Sequence, residues 1–274
     1  MFRKIYENLQ EKTPLVHCIT NYVTVNDCAN IILAAGGSPI MADSILEVEE
    51  ITSICNALVI NIGTLNERVI ESMIKAGKVA NEIGNPTILD PVGVGASNLR
   101  RETTFQLLEE IPFSIISGNA SEIKTIYKES GTTSGVDAKE EDRIEEENLE
   151  RMIQMCKDLS KRTESIVSLT GAIDIVASAD IANVIYNGNP LMSKVSGTGC
   201  MLSTLIGAYC GANRNDLLNA TTLAVAHMGL SGEMAFEKLE EMKGGTSSYK
   251  VLLIDSISQT NYDILKEGVK IETR

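Results

Sequence analysis

Four short apolar runs, each stopping abruptly at small or polar residues, constrain this chain more than any other feature. They are Ala57–Ile62 before Gly63-Thr64, Thr87–Leu89 before Asp90-Pro91, Phe113–Ile116 before Ser117-Gly118-Asn119, and Ser165–Leu169 before Thr170-Gly171. A strand with one wet face alternates apolar and polar residues. These runs are nearly continuous, so both of their faces must be covered. Stretches of helical periodicity lie between and after them, at Asn66–Ile83, Ser97–Glu110, Ala120–Glu129, Glu147–Arg162, Gly199–Gly211, Asp216–Lys243 and Ser248–Glu267. In the first of these, Val69, Ile70, Met73, Ile74, Gly77 and Ala80 share one face. Such alternation predicts an α/β fold with a buried, mostly parallel sheet and helices on both sides. Ile173–Tyr186 reads as a hairpin turning at Ala177-Ser178-Ala179-Asp180.

The alternation runs almost end to end over 274 residues, with no Pro/Gly/Ser-rich linker, repeat or low-complexity tract, which predicts a single domain over residues 1–274. A chain of this length buries roughly three quarters of its extended surface, enough for a large core. A net charge of −13 argues against a nucleic-acid partner, which needs a basic stripe, and against an anionic membrane surface. The segment Met1–Lys12 lacks the apolar core of a signal peptide, and no run of about eighteen apolar residues follows; a cytoplasmic protein is expected. The cysteines, Cys18, Cys28, Cys55, Cys156, Cys200 and Cys210, form no C-x-x-C pair, so reduced thiols are expected rather than a zinc site. The acidic run Glu140–Glu150 reads as a solvated helix or loop.

The segment Val195-Ser196-Gly197-Thr198-Gly199-Cys200 leads into a run that reads as an amphipathic helix. Met201, Leu202, Leu205, Ile206 and Tyr209 recur at helical spacing there, with Ser203 and Thr204 on the wetter side. Glycines permit a tight turn, so that consecutive N–H groups at the helix start can converge on one anion. Cys200 falls in the first turn, where the hydroxyl of a phosphoryl acceptor could be held. The alternative is a plain Gly-rich helix entrance. Asp90, followed by Pro91-Val92-Gly93-Val94-Gly95, either serves a metal-bound phosphate or caps its own turn. Asn119 and Glu122 either aim an amide and a carboxylate at a hydrated Mg²⁺ or form a capping box. Thr170-Gly171 offers a hydroxyl and open backbone to a phosphate, or is a simple turn. All of these fall at strand exits. Ligands of open α/β sheets bind beyond the carboxyl ends of the strands, so Asn61, Asp90, Asn119 and Thr170 should converge, with Gly197–Cys200 entering the same crevice. Together they favour a phosphoryl-transfer site.

Other motifs are less informative. His17 and His227 read as core or capping residues, and Met152 and Met155 as helix core. There is no Gly-x-x-x-x-Gly-Lys-Ser/Thr loop, so phosphates would rest on helix starts and Mg²⁺. No Gly-x-Gly-x-x-Gly follows an opening strand, and neither histidine has a Gly-x-Ser-x-Gly partner.

Taken in order, several segments resemble the hydroxyethylthiazole kinases. They are Pro14–Asn26 (Pro-Leu-Val-His-Cys-Ile-Thr-Asn-Tyr-Val-Thr-Val-Asn), Ala34–Ala42, Leu89–Ala96, Gly118–Ile123 and Ser196–Cys200. A cysteine closing the glycine loop is itself discriminating, because most ribokinase-like enzymes carry aspartate there. The resemblance implies a ribokinase-like three-layer α/β/α fold, a role in thiamine salvage, and use of ATP and Mg²⁺ to phosphorylate the hydroxyl of 4-methyl-5-(2-hydroxyethyl)thiazole. It implies a homotrimer with substrate near the subunit interfaces. It assigns Met41, Gly197 and Asn21 to the substrate, Ser117, Thr170 and Asn119 to ATP, and Asp90 and Glu122 to Mg²⁺ and the phosphates. By the same resemblance Gly197, Thr198, Gly199 and Cys200 are expected to form the catalytic loop.

Three positions depart from the family pattern. Ser117 replaces the usual arginine, removing a charge-assisted contact worth roughly 1.5–3 kcal/mol, for which Lys124 or Lys194 could compensate. Ser196 replaces threonine, and Gly245-Thr246-Ser247 replaces a Gly-Pro-Gly turn, which predicts a looser loop there. A helix start lowers a thiol pKa, to about 3.5–7.5 in strong cases, whereas bound triphosphate raises it, so the helix start and Mg²⁺ are expected to outweigh the Cys200 thiol in catalysis. Competing readings are a ribokinase-like kinase for hydroxymethylpyrimidine or pyridoxal, an ATP-dependent dehydratase of hydrated NADH, and a non-catalytic binding protein.

Overall fold

The computed structural model describes residues 1–129 and 146–274. It opens with α1 (Phe2–Lys12), β1 (Leu15–Ile19), α2 (Val25–Ala34), β2 (Ser38–Ile40) and α3 (Val48–Ile54). β3 (Ala57–Asn61), α4 (Glu67–Glu82), β4 (Thr87–Asp90), α5 (Asn98–Glu110), β5 (Ile115–Asn119) and α6 (Ala120–Glu129) follow. Beyond residue 146 come α7 (Leu149–Thr163), β6 (Ile166–Thr170), β7 (Asp174–Ala177), β8 (Ala182–Ile185), a 3-10 turn at Pro190–Lys194 and α8 (Thr198–Ala212). The chain closes with α9 (Leu217–Met242), α10 (Thr246–Gln259), α11 (Tyr262–Gly268) and β9 (Ile271–Thr273). Most of the acidic run expected at Glu140–Glu150 lies outside the described residues; within them Glu146 and Glu147 are exposed.

The described strands form one nine-stranded sheet in the order β2-β1-β3-β4-β5-β6-β7-β8-β9. Pairing is parallel from β2 through β6 and antiparallel from β6 onward, with β7 and β8 making the expected hairpin. One face carries α1, α2, α8, α9 and α10, the other α3 to α7, each over its own apolar core. This is the three-layer α/β/α arrangement. From β1 the chain goes to β2 on one side and then to β3 on the other. The crevice between the carboxyl ends of β1 and β3 is therefore a topological switch point, where α/β sheets receive ligands.

Two helix expectations need correction. The stretch Ser248–Glu267 is two helices, because Thr260 turns to extended backbone and Asn261 caps a new start by accepting the Ile264 N–H at 3.0 Å. α8 is not amphipathic. Every residue from Met201 to Ala212 is buried, Ser203 and Thr204 included. The helix lies on β1, β3 and β4 and is covered by α1, α2 and α9, so it has no wet side. Its two hydroxyls are accommodated by donating back to the Gly199 and Met201 carbonyls, at 3.2 and 2.8 Å. At the N-terminus of α10, Gly245 sits at the cap and Thr246 opens the helix.

Candidate active site

Three of the expected residues meet at the switch point. Asn21 follows β1, Asn61 is the last residue of β3, and Cys200 lies in the first turn of α8. The Cys200 sulphur accepts a hydrogen bond from each amide, Asn21 Nδ2 and Asn61 Nδ2, both at 3.3 Å. Asn21 Nδ2 also donates to Asn61 Oδ1 at 3.0 Å, and Asn61 Nδ2 to Asp90 Oδ2 at 2.6 Å. Asn21 Oδ1 is in turn fixed by the Val23 and Thr24 N–H groups and the Thr24 hydroxyl, at 3.0 to 3.1 Å. Gly63, whose N–H donates to Asn61 Oδ1 at 2.9 Å, has no room for a side chain, since a Cβ there would stand 2.9 Å from both Asn21 Cβ and Asn61 Oδ1.

α8 begins at Thr198 with no side chain capping it, so its first N–H groups remain free to receive an anion. Gly197 supplies the turn before it at φ +91°, and a Cβ there would lie 2.5 Å from Thr24 Cγ2. Gly199 keeps helical backbone, so the tight turn rests on one glycine rather than two. Burial pushes the Cys200 thiol above its ordinary value, and the neighbouring Asp90 carboxylate adds to the shift. Those effects exceed the stabilisation of a thiolate by its hydrogen-bond donors.

Asp90 is buried. Desolvation, then the negative charge of Glu122, raises its pKa to about 7, against the opposing hydrogen bonds of Ser203 and Asn61. Glu122 is likewise raised by burial, and its carboxylate is held by backbone N–H groups from two segments. Its Oε1 accepts the Gly93 N–H at 2.9 Å and its Oε2 the Asn119 N–H at 2.8 Å. Asn119 Oδ1 returns a contact by accepting the Glu122 N–H at 3.0 Å. The capping box is real, and it coexists with a carboxylate near Asp90. Arg100 adds a charge to this region. Its guanidinium donates to the Val92 carbonyl and, at 2.6 Å, to that of Gly63, and its charge favours ionised Glu122.

The nucleotide-side candidates lie one strand further along. Asn119 and Thr170 are register partners at the exits of β5 and β6, and the Thr170 hydroxyl donates to the Gly118 carbonyl at 3.3 Å. Ser117 is buried opposite Ser168 and brings no cation. Met41 follows β2 and is half-buried against the α8-side core. Its neighbour Ala42 is tethered by His17, whose Nε2 donates to the Ala42 carbonyl at 2.7 Å while Nδ1 meets Thr52 Oγ1 at 2.9 Å. His17 and His227 are both buried, as expected of core residues. Sequence reasoning placed Asn61 here without a role and missed Arg100, Thr24 and Ser203. Arg100 sits in a charged helical stretch with no distinguishing pattern.

A buried and a half-buried carboxylate whose charges disfavour each other suit a hydrated Mg²⁺, which takes few direct protein ligands and keeps several waters. No group of three or more acidic, histidine or cysteine side chains among the described residues forms a self-sufficient metal cage. No described helix is long and apolar enough to cross a membrane.

Comparisons with known proteins bear on the family and the fold. The model of the hydroxyethylthiazole kinase family matches residues 6–263. A hydroxyethylthiazole kinase of Clostridium acetobutylicum is 52% identical over 273 residues, covering 100% of both chains. The solved structure of a hydroxyethylthiazole kinase protein from Pyrococcus horikoshii superposes with a TM-score of 0.87 at 33% identity, covering 99% of this chain and 98% of that one. A ribokinase-like superfamily protein of Enterococcus faecalis shares the fold alone, with a TM-score of 0.57 at 12% identity over 93% of this chain and 90% of its own.

Proposed function

The chain belongs to the hydroxyethylthiazole kinase family, and from that premise we propose that it transfers the γ-phosphoryl group of ATP to the hydroxyl of 4-methyl-5-(2-hydroxyethyl)thiazole, a step of thiamine salvage. The observation that carries this reading is the meeting of an uncapped helix start, Cys200 and Asp90 at the β1/β3 switch point, joined by the Asn61 amide. The acceptor alcohol is received by Met41, Asn21 and Gly197. The nucleotide lies along the exits of β5 and β6, at Ser117, Asn119 and Thr170. The alcohol oxygen forms its bond to the γ-phosphorus as the bond to the β–γ bridging oxygen breaks, and ADP leaves with that electron pair.

The N–H groups at Gly197, Thr198, Gly199 and Cys200 stabilise negative charge on the transferred group, the main demand of a loose phosphoryl transfer. Asp90 and Glu122 would hold Mg²⁺, partly through water. When bound, Mg²⁺ supplies neutralisation of the phosphate oxygens. Cys200 is a neutral thiol in this setting, since burial and Asp90 both oppose its ionisation; it orients the hydroxyl, whose proton passes late in the step to an oxygen of the transferred phosphoryl group.

The same reading covers residues 1–274 as one ribokinase-like kinase domain in the cytoplasm. A homotrimer, implied by the family resemblance, is part of the same reading; the exposed large apolar side chains of Tyr22, Val23, Leu33 and Leu46, on segments flanking Asn21 and Met41, offer surface for contacts between copies of the chain. The test is product analysis by mass spectrometry after incubation with ATP, Mg²⁺ and the thiazole alcohol. Parallel reactions contain hydroxymethylpyrimidine, pyridoxal or hydrated NADH. Thiazole phosphate as the sole new product is the expected result. Folded protein that turns over only another substrate, or none, would overturn the assignment.

A further inference from the structure

We propose that Asn61 is a positioning residue for the phosphoryl transfer, its carboxamide setting the Cys200 sulphur and the Asp90 carboxylate in fixed relation to each other. The inference rests on the kinase reading above. Its foundation is that the amide can adopt only one orientation. Asn61 Oδ1 accepts from the Gly63 N–H at 2.9 Å and from Asn21 Nδ2 at 3.0 Å. A backbone N–H can only donate, so the oxygen must face Gly63 and the NH₂ group must face the site. Both amide hydrogens are then used, toward Asp90 Oδ2 at 2.6 Å and toward Cys200 Sγ at 3.3 Å. Asn61 is 2% exposed, so these bonds are shielded from competing water.

Asn21 completes the arrangement from the other side. With both amides directed at it, the sulphur accepts two N–H groups, and the Thr24 hydroxyl is a third hydrogen-bonding neighbour of the thiol. The same Asn61 amide holds the carboxylate on the next strand, where Asn61 and Asp90 are register partners. The hydroxyl side and the phosphate side of the reaction are therefore linked through one side chain. An error of about 1 Å in such alignment can cost about a hundredfold in rate, so the effect belongs in kcat.

The test is a double-mutant cycle on the purified enzyme with ATP, Mg²⁺ and the thiazole alcohol, using Asn61→Ala and Cys200→Ala singly and together. Asn61→Ala should lower kcat by at least about tenfold while changing KM for either substrate by less than about threefold. In the Cys200→Ala background the same substitution should cost distinctly less, because one of its two partners is already gone. Asn61→Ser, which is smaller and too short to reach both groups, repeats the measurement if Asn61→Ala fails to fold by circular dichroism. An unchanged kcat, a loss confined to KM, or penalties that simply multiply would overturn the inference while leaving the kinase reading intact. Wild-type enzyme that forms no thiazole phosphate would instead sink that reading, and this inference with it.

Discussion

Glu122, near the start of α6, accepts the N–H of Gly93 in the loop after β4 at 2.9 Å. That bond ties the exit of β4, which carries Asp90, to the exit of β5, along which the nucleotide is proposed to lie. It also bears on the order of importance among the catalytic candidates. Glu122→Ala removes a charge near Asp90 and strands the N–H groups of Gly93 and Asn119. Asp90→Ala removes the other carboxylate. Each is expected to reduce kcat by about 10²–10³, the scale of losing a group that stabilises transition-state charge. Steady-state kinetics at saturating Mg²⁺ would check this.

Cys200→Ala should be milder, at roughly tenfold, because the thiol stays protonated and the helix start retains its N–H groups. A Cys200→Ala enzyme as inactive as Asp90→Ala would mean that the sulphur takes the proton after all. The comparison must be made in one assay, since only the ranking decides.

Most of the layout was legible in the sequence, for a physical reason. Strands buried on both faces must be continuously apolar, so β3, β4, β5 and β6 announced themselves, and their exits located Asn61, Asp90, Asn119 and Thr170. The N-terminal β1 and β2 carry no such pattern: His17 interrupts one, and the other is three residues long at the sheet edge. α8 was misread because its serine and threonine look like a wet face, whereas tertiary cover buries every side. The amide network was invisible for a different reason. Asn21, Asn61 and Cys200 are far apart in the chain, and asparagine is a common loop residue with no spacing rule that marks it as a partner of sulphur.

Burial of Asp90 has a consequence for stability in the absence of Mg²⁺ and nucleotide. Its pKa in the folded protein, about 7, stands above the ordinary 3.8. The unfolded chain therefore loses this proton first, and the folded state loses stability progressively as pH rises from about 4 through 7. Asp90→Asn abolishes that loss. The variant should be more stable than wild type at pH 8 by on the order of a few kcal/mol, and so melt at a higher temperature, and the gap should close toward pH 4. Asp174 is also raised to about 7 by burial, but it is common to both proteins and cancels. Thermal melts across that range would show the crossover, and a constant gap would exclude Asp90 as its source.

Gly197→Ala should damage activity more than stability. The residue sits at φ +91°, and an added Cβ would press on Thr24, which holds Asn21. The strain alone is about 1–3 kcal/mol, tolerable for a domain of this size. The displaced loop, however, carries the N–H groups meant for the phosphoryl group. A loss of kcat of roughly a hundredfold or more with a fall of only a few degrees in Tm is expected.

His17 provides the last prediction. Its ring hydrogen-bonds Thr52 and Ala42 rather than Cys200 or Asp90, and holds the Ala42 carbonyl at 2.7 Å, beside Met41. Burial lowers its pKa, so it remains largely neutral near pH 7 and acts through hydrogen bonding rather than charge. His17→Phe keeps the ring volume and leaves the Ala42 carbonyl without its donor, whereas the Thr52 hydroxyl retains its bond to the Val48 carbonyl at 2.6 Å. That orphaning should cost about 1–3 kcal/mol of stability. On the proposed placement of the substrates its kinetic signature is specific to the acceptor side: KM for the thiazole alcohol should rise several-fold through Met41, while KM for ATP, proposed to lie beyond β5, stays within about twofold. Equal rises in both constants would mean that the Ala42 tether supports the whole crevice and not the acceptor side alone.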